Sequence, residues 1–118
     1  MDTTTMVAAL KAYGADTTGT LERFMGDADL YMDCIRLFQQ NPGLDRLSAA
    51  LDSKDYLAAF EAAHNMKGVL ANLGLTPILN AVCDIVESLR NQNHCEDARL
   101  AAQYQAVEQE YQRLLTFL

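Results

Sequence analysis

Hydrophobic residues recur three and four apart along most of this chain, the spacing that lines up one face of an α-helix, while strand-like alternation is nearly absent. Thr4 to Ala12 predicts a short opening helix that stops near Gly14. Thr17 to Phe24 predicts a second, with a break at Gly26. Asp27 is placed to cap a longer helix through Gln40, whose apolar stripe reads Leu30, Tyr31, Cys34, Leu37 and Phe38. Asn41-Pro42-Gly43 interrupts the pattern, and Leu44, Leu47 and Leu51 mark a short helix ending around Asp52 and Ser53. The next helix runs from about Lys54 to Leu73, with Ala59, Ala62, Met66, Val69, Leu70 and Leu73 expected on its core side. Gly74 suits the left-handed residue that ends many helices. Thr76-Pro77 restarts the chain, and Ile78, Val82, Ile85, Val86 and Leu89 stripe a helix to about Asn91. Asn91 to Cys95 reads as a polar turn. The last helix covers roughly Glu96 to Phe117, striped by Leu100, Tyr104, Val107, Tyr111, Leu114 and Leu118. Four long helices joined by short turns predict an all-α fold, an antiparallel four-helix bundle. Short N-terminal helices, about 4–24, are expected over one end of a bundle spanning about 27–118, all within one domain, 1–118.

Composition narrows what such a bundle does. The net charge of -7 argues against nucleic acid, which calls for a basic stripe, and against an anionic membrane surface. A protein partner with some basic character fits better. The start Met-Asp-Thr-Thr-Thr has no basic, apolar leader pattern, and no run reaches the length of a membrane span. Three cysteines without a C-x-x-C pair fit a reducing cytoplasm, the expected location. Cys34 and Cys83 fall at apolar helical positions, where cysteine packs as a small hydrophobe. His94-Cys95, even with Cys83, matches no zinc spacing, so no metal and no cofactor is expected; a metal-binding bundle would need stoichiometric metal in purified protein. The last stripe is expected to serve the core rather than a homodimer seam, leaving a monomer.

Chemistry concentrates in Ala63 to Gly74. His64 points away from the apolar side of its helix, into solvent, in the middle of a rigid rod. Imidazole is the side chain that titrates near neutrality, and its neutral form offers a nucleophilic ring nitrogen. Phosphoryl transfer asks for in-line access and charge stabilisation more than for covalent help. Lys67, one turn on, shares the surface and offers an ammonium to a phosphoryl oxygen. Gly68 leaves the space beside the ring open, a reason to accept the roughly 1 kcal/mol that glycine costs inside a helix. Ala71, on the same face, is also small. Phe60 and Leu57 lie one and two turns before the histidine, and with Glu61 and Ala71 they form the expected partner-docking surface, since exposed apolar side chains around a reactive group invite a partner. Neither G-x-x-x-x-G-K-[ST] nor G-x-G-x-x-G occurs, so the chain is not expected to bind ATP or to phosphorylate itself.

Ala63-His64, Lys67-Gly68 and Leu73-Gly74 together resemble the signature of histidine-containing phosphotransfer (HPt) domains, A-H-x-x-K-G followed by L-G. Pro77, Leu79, Cys83 and Glu87 are similar to its continuation in the next helix, and Phe24 to Phe38, with Gly26-Asp27 and Leu30, to the family's first long helix. The resemblance covers nearly the whole chain. It implies a phosphorelay intermediate: a phosphoryl group arrives from an aspartate on a receiver domain, rides on the outer ring nitrogen of His64, and leaves to an aspartate on another. Response-regulator receiver domains, and a hybrid histidine kinase, are the implied partners. Several family members carry glutamine or glutamate 22 positions after the histidine, orienting the ring; this chain has Val86 there, with Glu87 beside it. The rival reading is a non-phosphorylated helical interaction module that binds and inhibits a receiver or histidine kinase domain.

Overall fold

The structure, a computed structural model, describes residues 2–90 and 96–118. Among these residues there are seven helices: α1 (Thr3–Tyr13), α2 (Thr17–Arg23), α3 (Ala28–Gln40), α4 (Leu44–Asp52), α5 (Tyr56–Leu73), α6 (Thr76–Arg90) and α7 (Asp97–Phe117). The four longest, α3, α5, α6 and α7, form the helical bundle expected from the spacing of apolar residues. The expected turn at Asn91 to Cys95, with the His94-Cys95 pair, lies outside the described residues.

One local device starts four of the helices. The carboxylates of Asp2, Asp16, Asp27 and Asp55 accept hydrogen bonds from the backbone N–H of Thr5, Gly19, Leu30 and Ala58, three residues on. Each satisfies a donor that a helix start leaves without an intrahelical partner. Asp27 thus does what its position suggests. Asp55 does the same for α5, which therefore begins at Tyr56 and not at Lys54. Lys54 lies before the cap with φ +56°, a left-handed conformation incompatible with a continuing helix.

All seven helices contribute to one apolar core. The helix α3 is rotated from its expected orientation. Its buried residues are Tyr31, Met32, Ile35 and Phe38, whereas Leu30 and Leu37 are 46% and 64% exposed and Cys34 is half-buried. The cause is α1, which packs against α3 and α7 and buries Met6, Leu10 and Tyr13. Arg36 Nη2 lies 3.7 Å from Met6 Sδ and Thr3 Oγ1 donates to Asp29 at 2.7 Å, so α1 covers the Met32 flank and leaves the Leu30–Leu37 flank open. On α7, Leu100, Val107 and Leu114 are buried, and Tyr104, Tyr111 and Leu118 pack half-buried at its margin. Cys83 is likewise half-buried rather than core.

Tyr13 ties α1 to the bundle. The Arg113 guanidinium lies 4.4 Å from its ring centroid, a cation–π arrangement, and Phe117 meets the ring edge-on at 5.8 Å. Its hydroxyl accepts from the N–H of Ile78 at 3.2 Å. Tyr31, fully buried, donates to the carbonyl of Leu73 at 2.8 Å. Burial pushes both phenols up to about 12. A native pKa above the unfolded value of about 10 means the folded state keeps its proton where the unfolded state has lost it. Stability from these phenols is therefore complete below pH 10 and is lost as pH rises through 12. Ultraviolet titration of tyrosinate should show two of the five phenols ionising last, together with loss of the helical circular dichroism signal.

Candidate functional site

Helix α5 is fixed at both ends, and this fixes the direction in which its side chains point. At its start, the Tyr56 hydroxyl donates to Asp97, which also pairs with Lys54 at 3.2 Å. The Tyr56 hydrogen bond and then the lysine hold the Asp97 carboxyl below the usual range. At its end, Gly74 adopts φ +66°, and the N–H of Leu75 reaches back to the carbonyl of Leu70 at 3.1 Å, as in a helix closed by a left-handed residue. Helix α2 then clamps this end. The Asp16 N–H donates to the Gly74 carbonyl at 2.8 Å. Arg23 Nη2 donates to the carbonyls of Ala71 and Asn72 at 3.0 and 3.2 Å, placing a cation where the helix dipole is negative.

Between these anchors Ala59, Ala62, Ala63, Met66, Leu70 and Leu73 are buried. Ala63, fully enclosed, immediately precedes His64 and presses its turn of helix against the bundle. His64 is exposed, as its opposition to the apolar stripe implies. Lys67 is half-buried and Gly68 exposed. A Cβ built on Gly68 would meet no atom within 4 Å, so the space beside the histidine is open. Among the described residues no carboxylate lies within 4 Å of the Lys67 ammonium.

The structure brings together His64, Lys67, Gly68, Leu57, Glu61 and Ala71 on the outward side of α5, with Leu57 59% exposed. Phe60 differs from expectation. It is half-buried against the core, and its ring faces that of His64 at 5.8 Å between centroids, tilted by 35°. It shapes one side of the imidazole rather than standing free for a partner. Val69 also differs. Expected in the core, it is 47% exposed. The three alanines, Met66 and two leucines already fill the narrow inward face of α5, and Val69 lies at its edge beside a groove. Val86 is fully buried in the stripe of α6, so its aliphatic side chain cannot orient the imidazole by hydrogen bonding. Arg23 and Asp16 are absent from the reading of sequence alone, and Ala63, quoted there in the motif, is not placed on the core side where the structure buries it. The Asp16 cap has a local signal in the Asp-Thr-Thr-Gly run; the Arg23 clamp joins residues 48 and 49 apart and has none.

Among the described residues no group of three or more His, Cys, Asp or Glu side chains is placed to hold a metal ion, and no helix is long and apolar enough to cross a membrane.

An all-helical bundle with a solvent-facing histidine beside a lysine and an open glycine is the arrangement that the resemblance to Hpt domains implies. A model of the Hpt domain family matches residues 17–117. The chain belongs to the Hpt domain family. Membership places it in histidine phosphotransfer within phosphorelays, whose Hpt domains interact with receiver domains and kinases. Searches of curated proteins and of solved structures give no significant match.

Proposed function

We propose that this chain, as a single cytoplasmic and monomeric domain, relays a phosphoryl group between receiver-domain aspartates through a phosphohistidine at His64. The observation that carries the reading is the exposed imidazole with empty space at Gly68. The neutral outer ring nitrogen attacks the phosphorus of a receiver's aspartyl phosphate. The N–P bond forms as the P–O bond to the carboxyl breaks, and the bonding pair leaves with the aspartate carboxylate. The ring then carries its charge on the imidazolium, and Lys67 faces the phosphoryl oxygens. The second receiver's carboxylate reverses these steps, with the electron pair of the N–P bond returning to the imidazole. Fixing α5 at both ends presents the ring on a rigid support, which helps transfer because the reacting atoms need little further ordering.

Incubation with a phosphorylated receiver domain tests this. The chain should acquire phosphate that is lost in acid and stable in base, the behaviour of phosphohistidine. The interaction-module reading draws support from buried Val86, which leaves the ring without that orienting partner. That reading expects stable binding of a receiver with no phosphate on the chain.

A further inference from the structure

Long side chains on an α-helix lean toward its N-terminus, over the turn that precedes them. The residues one turn before His64 are Phe60 and Glu61, so these two are placed to meet the imidazole. The structure selects Phe60. Its ring and that of His64 lie 5.8 Å apart between centroids, tilted by 35°. Glu61 is exposed and makes no ion pair with the histidine. Among the described residues the imidazole has no hydrogen-bond partner, and Val86, sealed in the core, supplies none. The phenyl ring is therefore the one side-chain contact that the described residues give to the imidazole.

Phe60 is itself held in place. It packs half-buried against the core, next to Ala59, which is fully buried. It thus gives the imidazole a fixed wall on the N-terminal side. On the C-terminal side a Cβ at Gly68 would meet nothing within 4 Å. A ring with a wall on one side and open space on the other loses part of its rotational freedom before any partner arrives, and a nucleophile ordered in advance reacts faster. The wall also has an electrostatic effect. As the N–P bond forms and the P–O bond breaks, the aspartate carboxylate leaves with the bonding pair and the imidazole gains positive charge. The face of a phenyl ring attracts a cation within about 6 Å of its centroid. This attraction grows as the charge develops, so it acts on the transition state more than on the resting chain.

We infer that Phe60 is the positioning residue of His64: its ring holds the imidazole in one rotamer, in place of a hydrogen-bond partner, and favours the charge that phosphorylation puts there. For the reaction the inference rests on the phosphorelay reading; for the order of the ring it does not, and the test separates the two. Phe60→Leu removes the ring and keeps an apolar side chain against the core, while Phe60→Tyr keeps the ring. In the unphosphorylated chain, NMR couplings about the His64 Cα–Cβ bond, with nuclear Overhauser effects between the two rings, should report one rotamer in the wild type and in Phe60→Tyr, and averaged rotamers in Phe60→Leu. Transfer is then measured from phosphoramidate, a small donor whose leaving group is ammonia and which needs no docking surface, and from a phosphorylated receiver domain. Phe60→Leu should lose about tenfold in maximal rate with both donors, with KM for the receiver within a factor of about two. Phe60→Tyr should lie closer to the wild type. Averaged His64 rotamers in the wild type overturn the inference, and this measurement decides it even where a variant fails to fold. So does a folded Phe60→Leu chain that takes phosphate from phosphoramidate at the wild-type rate and changes only in its KM for the receiver, since that marks a docking residue. Unchanged rates with both donors have the same consequence. A wild type that neither donor labels contradicts the phosphorelay reading, and the rotamer measurement then still upholds or overturns the role of Phe60.

Discussion

Replacing Gly68 with glutamine is expected to slow phosphotransfer from a receiver domain by about a hundredfold, the scale on which small misplacements of reacting groups act, while leaving helix content unchanged. The contrast with Gly68→Ala makes the argument. A Cβ at position 68 meets nothing within 4 Å, so alanine introduces no clash, and its better helix propensity should raise stability by about 1 kcal/mol. Folding therefore favours alanine here, and in the proposed relay the glycine gives a bulky phosphorylated partner access to the imidazole. Time-resolved transfer measurements alongside urea unfolding should show alanine more stable yet slower than glycine, and glutamine slower still. Equal transfer rates for all three would show that open space beside His64 serves no purpose in transfer.

Gly74→Ala is expected to have the largest effect on stability, a loss of about 3 kcal/mol read from urea or thermal unfolding. Two costs add. The position has φ +66°, which an L side chain adopts only under strain. The new methyl group would also collide with Thr20 Oγ1 and come within 2.7 Å of the Asp16 carbonyl oxygen. Thr20 is buried and its hydroxyl is already held by that carbonyl at 2.7 Å, so neither neighbour has room to give. Through this same junction α2 clamps the end of α5, so the substitution should loosen the histidine's support as well as the fold. Wild-type stability in this variant would show that the α2–α5 clamp contributes nothing.

These two glycines also mark what was readable without coordinates. Gly74 follows the last apolar position of a periodic segment, so its role as helix terminator is local and legible, as is the cap at Asp27. The outward direction of His64 followed from the same periodicity, because six apolar neighbours define its opposite face. The rotation of α3 was not legible. Leu30, Cys34 and Leu37 keep helical spacing as good as that of Met32 and Ile35, and only the packing of α1, through contacts between residues 26 and 30 apart in sequence, decides which set is covered. Val69 differs for a related reason: it sits at the boundary of the stripe, where burial depends on the neighbouring groove and not on α5. Phe60 shows the limit from the other side. An aromatic ring is long enough to reach back to the core from a helix flank, so its position predicted exposure that its size removed. Arg23 acts on α5 through a contact between distant segments, which no single stretch of sequence encodes.

The claim on which the account turns is that phosphate rides on His64 itself. Mass spectrometry of wild type and His64→Gln under non-acidic conditions, after exposure to a phosphorylated receiver domain, tests it most directly. The account predicts one phosphoryl group on the wild type, mapped to the peptide containing His64, and an unmodified, folded His64→Gln chain. A phosphoryl group on the substituted chain, or one mapped elsewhere in the wild type, would contradict it.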